Sequence, residues 1–222
     1  MNAKKLSAWC AVLGVVVLLT GGAPPTRGAK DASAWFEQAE NLYFDAKPKE
    51  AVAAFNKVIE LKPDAAPQLW QRGLALYYAG DYAEGRKQFE LHRTVNPDDV
   101  ENAAWHFLCV AKGEGLEAAR QALLPIHGDT RVPMREIYEL FAGRGSEDAV
   151  LKAAETGDKD SLEHRNQLCY AHLYLGLYHE ALGHTDLAKE HLLKAAKEDE
   201  MDHYMGRTAQ VHVMLRGWDQ AK

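Results

Sequence analysis

The sequence predicts an all-α fold of antiparallel helix pairs stacked side by side, and three observations predict it. First, two stretches fall into register 34 residues apart, so that Phe55 matches Phe89 and Pro63 matches Pro97. Trp35, Ala51, Phe55, Val58 and Pro63 lead, and Leu69, Gly73, Gly85, Phe89, His92 and Pro97 follow. Second, small residues recur where paired helices cross, and a proline ends the second helix of each pair, as its missing N–H requires. Third, no segment alternates apolar and polar residues as a half-buried strand does.

A 34-residue period with these residue types is the tetratricopeptide spacing. The first pair runs over 33–44 and 48–61, with Trp35, Ala39 and Leu42 on one inner stripe and Ala51, Phe55 and Val58 on the other. Pro48 is tolerated there because a helix start leaves its N–H unused anyway. In the second pair, 69–78 and 83–95, Gly73 costs about 1 kcal/mol relative to alanine in a helix interior. Its presence marks a crossing that admits no larger side chain. A degenerate third pair covers 100–111 and 116–124, with Phe107 where a small residue stood before. The period lapses from Pro125 to Pro133. Shorter helices follow at 134–141 and 147–155, the latter with Ser146 as N-cap. The last full unit places Leu175 and Gly176 in its first helix and Ala188, Leu192 and Ala195 in its second. A closing helix over 201–215 then covers the exposed end that a solenoid leaves. The expected class is therefore an all-α tetratricopeptide-repeat solenoid with a degenerate middle and a C-terminal closing helix.

The N-terminus carries a different pattern. Lys4 and Lys5 precede an apolar run from Ala8 to Leu19, which Gly21, Gly22, Pro24 and Pro25 break. That is the form of a secretory signal, and the run is too short to span a bilayer, which takes roughly 20 residues. Cleavage is expected after Gly28, giving a signal peptide over 1–28 and a repeat domain over 29–222 in the periplasm or outside the cell. The clear units lie at about 32–65, 66–99 and 169–202, the degenerate one at about 100–125 and the atypical helices at about 134–156. Cys10 precedes the apolar run, so no lipid anchor is expected. Cleavage removes Lys4, Lys5 and Arg27 and no acid, taking the formal net charge from −6 to −9. A negative surface disfavours nucleic acid and anionic lipid as partners. Cys109 and Cys169 sit in apolar helical stretches and read as buried thiols, with a disulfide between them as the alternative in an oxidising compartment.

In stacked helix pairs the first helix of each pair lines the concave face. Phe36 and Tyr43 fall there from the first unit, Trp70, Leu74, Tyr77 and Tyr78 from the second, and Tyr170, Leu173 and Leu177 from the last. Large apolar anchors dominate interface energetics, so these nine residues are the expected docking surface for another protein or a peptide segment. Burial of the same face by the closing helix or by a second copy of the chain are the alternatives.

No chemistry is legible. His179 and His184 imitate a zinc-protease helix with one residue too many, because a spacing of five rotates them about 140° apart around a helix. His172 with His179, and His184 with His191, are seven apart and could share a face, but two imidazoles without a third ligand define no metal site. Ser33, Ser146 and Ser161 lack the context of a nucleophile. The glycine pairs at 113–115 and 143–145 lack the preceding strand and following lysine of a phosphate loop. No catalytic residue, cofactor or metal is expected.

The array resembles the NlpI family of bacterial periplasmic lipoproteins. The resemblance spans roughly Trp70 to Gly217 and is carried by four stretches: Arg72 to Gly80, Trp105-His106-Phe107-Leu108, Phe141-Ala142-Gly143, and Tyr174 to Tyr178 followed by Leu182-Gly183. It implies a dimeric, all-helical envelope adaptor that brings a processing protease together with cell-wall hydrolases. The chain departs from that family in lacking the lipid-attachment cysteine and a clear extra N-terminal unit. The expected function is a non-catalytic scaffold or adaptor. A structural homodimer with a buried concave face, or an enzyme whose site is invisible in sequence, are the alternatives.

Overall fold

The computed structural model describes residues 27–219, so nearly all of the expected signal sequence lies outside the described residues. Among the described residues eleven α-helices follow one another: α1 (Arg27–Phe44), α2 (Pro48–Leu61), α3 (Trp70–Ala79), α4 (Tyr82–His92), α5 (Val100–Glu114), α6 (Leu116–Gln121), α7 (Met134–Phe141), α8 (Glu147–Ala154), α9 (Leu162–Ala181), α10 (Thr185–Leu193) and α11 (Tyr204–Leu215). Among the described residues there is no strand. No described helix is long and apolar enough to cross a membrane. Each helix from α1 to α5 packs on the next, as do α9 and α10, so the chain builds its core from sequential neighbours.

The crossings explain the spacing. A Cβ added to Gly73 would stand 2.5 Å from the Phe89 ring, and one added to Gly176 would stand 2.5 Å from Leu192 Cγ. In both pairs a glycine on the first helix meets a bulky residue sixteen positions later on the second. Ala39 and Phe55, at the same separation in α1 and α2, are both fully buried. Each such ring or leucine contributes about 1.5–3 kcal/mol by leaving water. Arg72 then ties three helices, donating to Asn56 Oδ1 on α2 at 2.8 Å and to Gln88 Oε1 on α4 at 3.0 Å.

Helix ends follow local chemistry. The N–H groups of Gly80 and Asp81 bond back to the carbonyls of Tyr77 and Leu76, closing α3 with a left-handed glycine at φ 84°. Asp81, Asp99, Ser146 and Ser161 cap α4, α5, α8 and α9 through their side-chain oxygens. Helix α5 runs through Gly113 and stops at Gly115, whose φ of 95° a side chain rarely adopts. Cys109 and Cys169 are buried free thiols, so the disulfide alternative is not realised. Burial pushes the Cys169 thiol up to about 12.

The last helix departs from an end cap. Helix α11 packs on α9 and α10 and also reaches back to α1. Tyr204 stacks on Tyr43 with ring centroids 5.8 Å apart and meets Trp70 edge-on at 4.6 Å. Further along, Tyr78 Oη lies 3.0 Å from His212 Nδ1, and Glu180 accepts from Arg216 Nε at 2.5 Å. The closing helix thus lies over the inner stripes of α1 and α3.

Candidate functional site

The nine residues expected on the concave face divide three ways. Leu74, Leu173 and Leu177 are fully buried in the core of the chain. Tyr43, Tyr77 and Tyr78 lie under α11 and its partners: Tyr43 Oη donates to Thr208 Oγ1 at 3.2 Å, and Tyr77 Oη donates to Glu180 Oε2 at 3.3 Å. Burial raises the hydroxyl pKa of all three tyrosines, so they act as neutral hydrogen-bonding groups. Phe36, Trp70 and Tyr170 line a cleft of about 700 Å³ that α11 leaves uncovered.

Besides Phe36 of α1 and Tyr170 of α9, several regions of the chain line that cleft. Trp70 and Gln71 come from α3, Asn102 and Trp105 from α5, Arg131 from the loop before α7, and His203 and Met205 from the start of α11. Trp105, Gln71 and Asn102 are each almost wholly buried. Asn102 Nδ2 donates to the Phe89 carbonyl at 3.1 Å, which fixes its orientation. Yet Asn102 Oδ1, Gln71 Oε1 and Trp105 Nε1 are shielded from water with no hydrogen-bond partner. A buried polar atom left unpaired costs about 1–3 kcal/mol, and these three are closed off from the open cleft.

One side of the cleft is charged. Arg131 donates to Asp99 Oδ1 at 2.7 Å, to Asp129 Oδ2 at 2.7 Å and to Glu101 Oε1. Its guanidinium also lies 5.9 Å from the centre of the Tyr170 ring. Glu101 Oε2 accepts from Tyr174 Oη at 2.9 Å. Three carboxyl groups around one cation leave an excess of acid. Burial and the neighbouring Glu101 push the Asp99 carboxyl up to about 6, even with Arg131 beside it. Burial opposes ionisation of Asp129 as well, but its hydrogen bond and attraction to Arg131 hold that carboxyl below the usual range. The cleft therefore offers aromatic walls and an acidic flank.

Sequence reasoning found the three rings and missed the polar wall. Gln71 follows Trp70 directly, and Trp105 lies in a stretch already singled out, so an unpaired amide near aromatic anchors was the available signal. Arg131 carried none, because it sits where the repeat pattern lapses. A separate histidine and glutamate cluster lies where α8, α9 and α10 meet. The pairing of His179 with His184 differs from the helical expectation. Helix α9 ends at Ala181, and Gly183 turns left-handed at φ 81°, bringing His184 Nδ1 to 3.4 Å from His179 Nδ1.

These features define an all-α protein of sequentially packed helices with one aromatic and acidic cleft among the described residues. No known family model matches the chain.

Proposed function

We propose that this protein is a non-catalytic adaptor of the tetratricopeptide-repeat type, which docks a segment of another protein in the cleft beside α11. The observation that carries this reading is the wall itself. The rings of Phe36, Trp70 and Tyr170 line it, with Asp99 and Glu101 on one flank. The aromatic rings add the desolvated anchors on which protein recognition depends. Asp99 and Glu101 favour a segment carrying a basic side chain.

The docking surface in this reading is smaller than the nine-residue stripe, because α11 takes the place of a partner over Tyr43, Tyr77 and Tyr78. The cell envelope is the proposed setting, resting on the signal-like pattern at the N-terminus. The proposed partner classes, a processing protease or a cell-wall hydrolase, rest on the resemblance described above.

The test is affinity capture from envelope extract, comparing the chain without its first 28 residues with a Trp70→Ala, Tyr170→Ala variant. The expected result is a heterologous protein held by the parent and lost from the variant, with helicity unchanged by circular dichroism. Capture of a second copy alone would favour the structural homodimer, and equal capture by both would remove the cleft as the docking site.

A further inference from the structure

The crossing of α8, α9 and α10 gathers four histidines around one carboxylate, outside the cleft. Glu147 opens α8, and its Oε2 accepts from His179 Nε2 at 3.0 Å while its Oε1 accepts from His191 Nε2 at 2.8 Å. The two imidazoles stack nearly parallel, with centroids 5.6 Å apart. We infer that Glu147, His179 and His191 form a binding site for a divalent transition-metal ion of the zinc class, with its remaining coordination position open to solvent.

Geometry supports the inference first. The candidate ligand atoms of the three residues all lie within 4.8 Å of one another. A tetrahedral zinc ion with ligands at about 2.0–2.1 Å places them roughly 3.4 Å apart, so entry of the ion needs only small side-chain shifts. The histidine side chains are buried and fixed, whereas Glu147 is 37% exposed and leaves a way in.

The far sides of the two imidazoles are also arranged for this role. His191 Nδ1 lies 2.8 Å from His172 Nδ1, and His179 Nδ1 lies 3.4 Å from His184 Nδ1. A metal on Nε2 leaves each ligand ring with its proton on Nδ1, to be donated to the bare Nδ1 of its neighbour. His172 then carries its own proton on Nε2, which faces Asp199 Oδ2 at 3.7 Å. Both ligand rings then have an acceptor for their Nδ1 proton, and such outer partners orient metal-binding histidines. Lys194, whose charge reaches His172 and His191, is itself paired with Glu190 at 2.9 Å. Imidazole and carboxylate together suit zinc and its first-row neighbours better than calcium or magnesium.

The experiment titrates the metal-free full chain with Zn²⁺ by calorimetry and with Co²⁺ by visible absorption. The expected result is one ion per chain, a cobalt spectrum of low coordination number and a higher melting temperature. His179→Ala and His191→Ala should lose binding by about 100-fold or more, and His172→Ala by about tenfold, as loss of an outer partner does. His127→Ala, at an exposed loop position, should bind as the parent does. Glu147→Gln guards against a fold defect, since its side chain is part-exposed at a helix start; it should keep helicity and weaken binding at least tenfold. Absence of binding by the folded parent would overturn the site, and so would parental affinity in Glu147→Gln. Either result would leave the cluster as a hydrogen-bonded clamp between helices.

Discussion

The seat of α11 and the crossing of α8, α9 and α10 both join distant parts of the chain, but with opposite chemistry. At the seat, Tyr204 packs among Tyr43, Phe44 and Trp70, so the contact rests on aromatic surface leaving water. Among its polar tips Tyr78 pairs with His212, and Glu180 with Arg216 and Tyr77, whereas the Tyr204 hydroxyl is buried without a partner. At the crossing, His172, His191, Glu147, His179 and His184 meet as a run of polar rings and one carboxylate. Burying such groups brings little net stability even when each finds a partner. The difference teaches that α11 holds the fold, whereas the histidine crossing is free to serve an ion.

The largest expected effect breaks the seat. Tyr204→Ala removes a ring that meets three others, and truncating a packed aromatic costs about 3–5 kcal/mol. The lower half of that range is expected, because Tyr204 is only partly buried. Chemical denaturation should report the loss, and near-ultraviolet circular dichroism should show the aromatic cluster loosened.

Glu180→Gln tests the polar tips of the same seat. Burial resists ionisation of Glu180, but His212 and Arg216 hold its carboxyl well below the usual range. Lys112 stands 3.9 Å away and adds positive charge. A carboxyl depressed in the folded state stabilises fully above its unfolded value near 4.3, and that contribution drains as pH falls below it. His212 acts in the same direction: burial lowers its pKa despite Glu180, so the folded chain resists its protonation. The variant should lose about 2 kcal/mol at neutral pH, less than the 3–5 kcal/mol of a fully buried broken pair, because Arg216 is a third exposed. Its melting temperature should also fall less steeply than the parent's between pH 5 and pH 3. A parallel fall in the two proteins would detach Glu180 from the seat.

The smallest effect is expected at the crossing. Without metal, Glu147→Gln should change stability by about 1 kcal/mol or less, since the amide oxygen still accepts from one imidazole and the other can move its proton to Nδ1 and accept from the amide N–H. A loss as large as that of Tyr204→Ala would show that the histidine cluster holds the fold, and the contrast between the two regions would fail.

The packing of successive helices was legible because it depends on near neighbours in sequence. Gly73 meets Phe89 within one helix pair, and Gly176 meets Leu192 within another, so spacing alone reveals each crossing. Both shorter helices and the Ser146 cap were legible for the same reason. The place of α11 was not. Tyr204 meets Tyr43 only after the whole intervening array has folded, and an apolar helix at the chain's end reads equally well as an end cap. Glu147 stands 32 residues before His179 and 44 before His191, in a helix outside the regular repeat. Periodicity carries no information about such a meeting. The acidic flank around Arg131 escaped likewise, since Glu101 and Asp99 lie 30 and 32 residues away, across the stretch without period.

Light-driven crosslinking from the cleft tests the adaptor account most directly. A photoreactive residue at Gln68 or Val95, exposed positions in the cleft wall, should join the chain to a different envelope protein. The same residue at the exposed Lys152 of α8 should not, and Tyr170→Ala should abolish the adduct. Adducts with the chain's own copies alone, or equal yields from all three positions, would contradict a docking cleft beside α11.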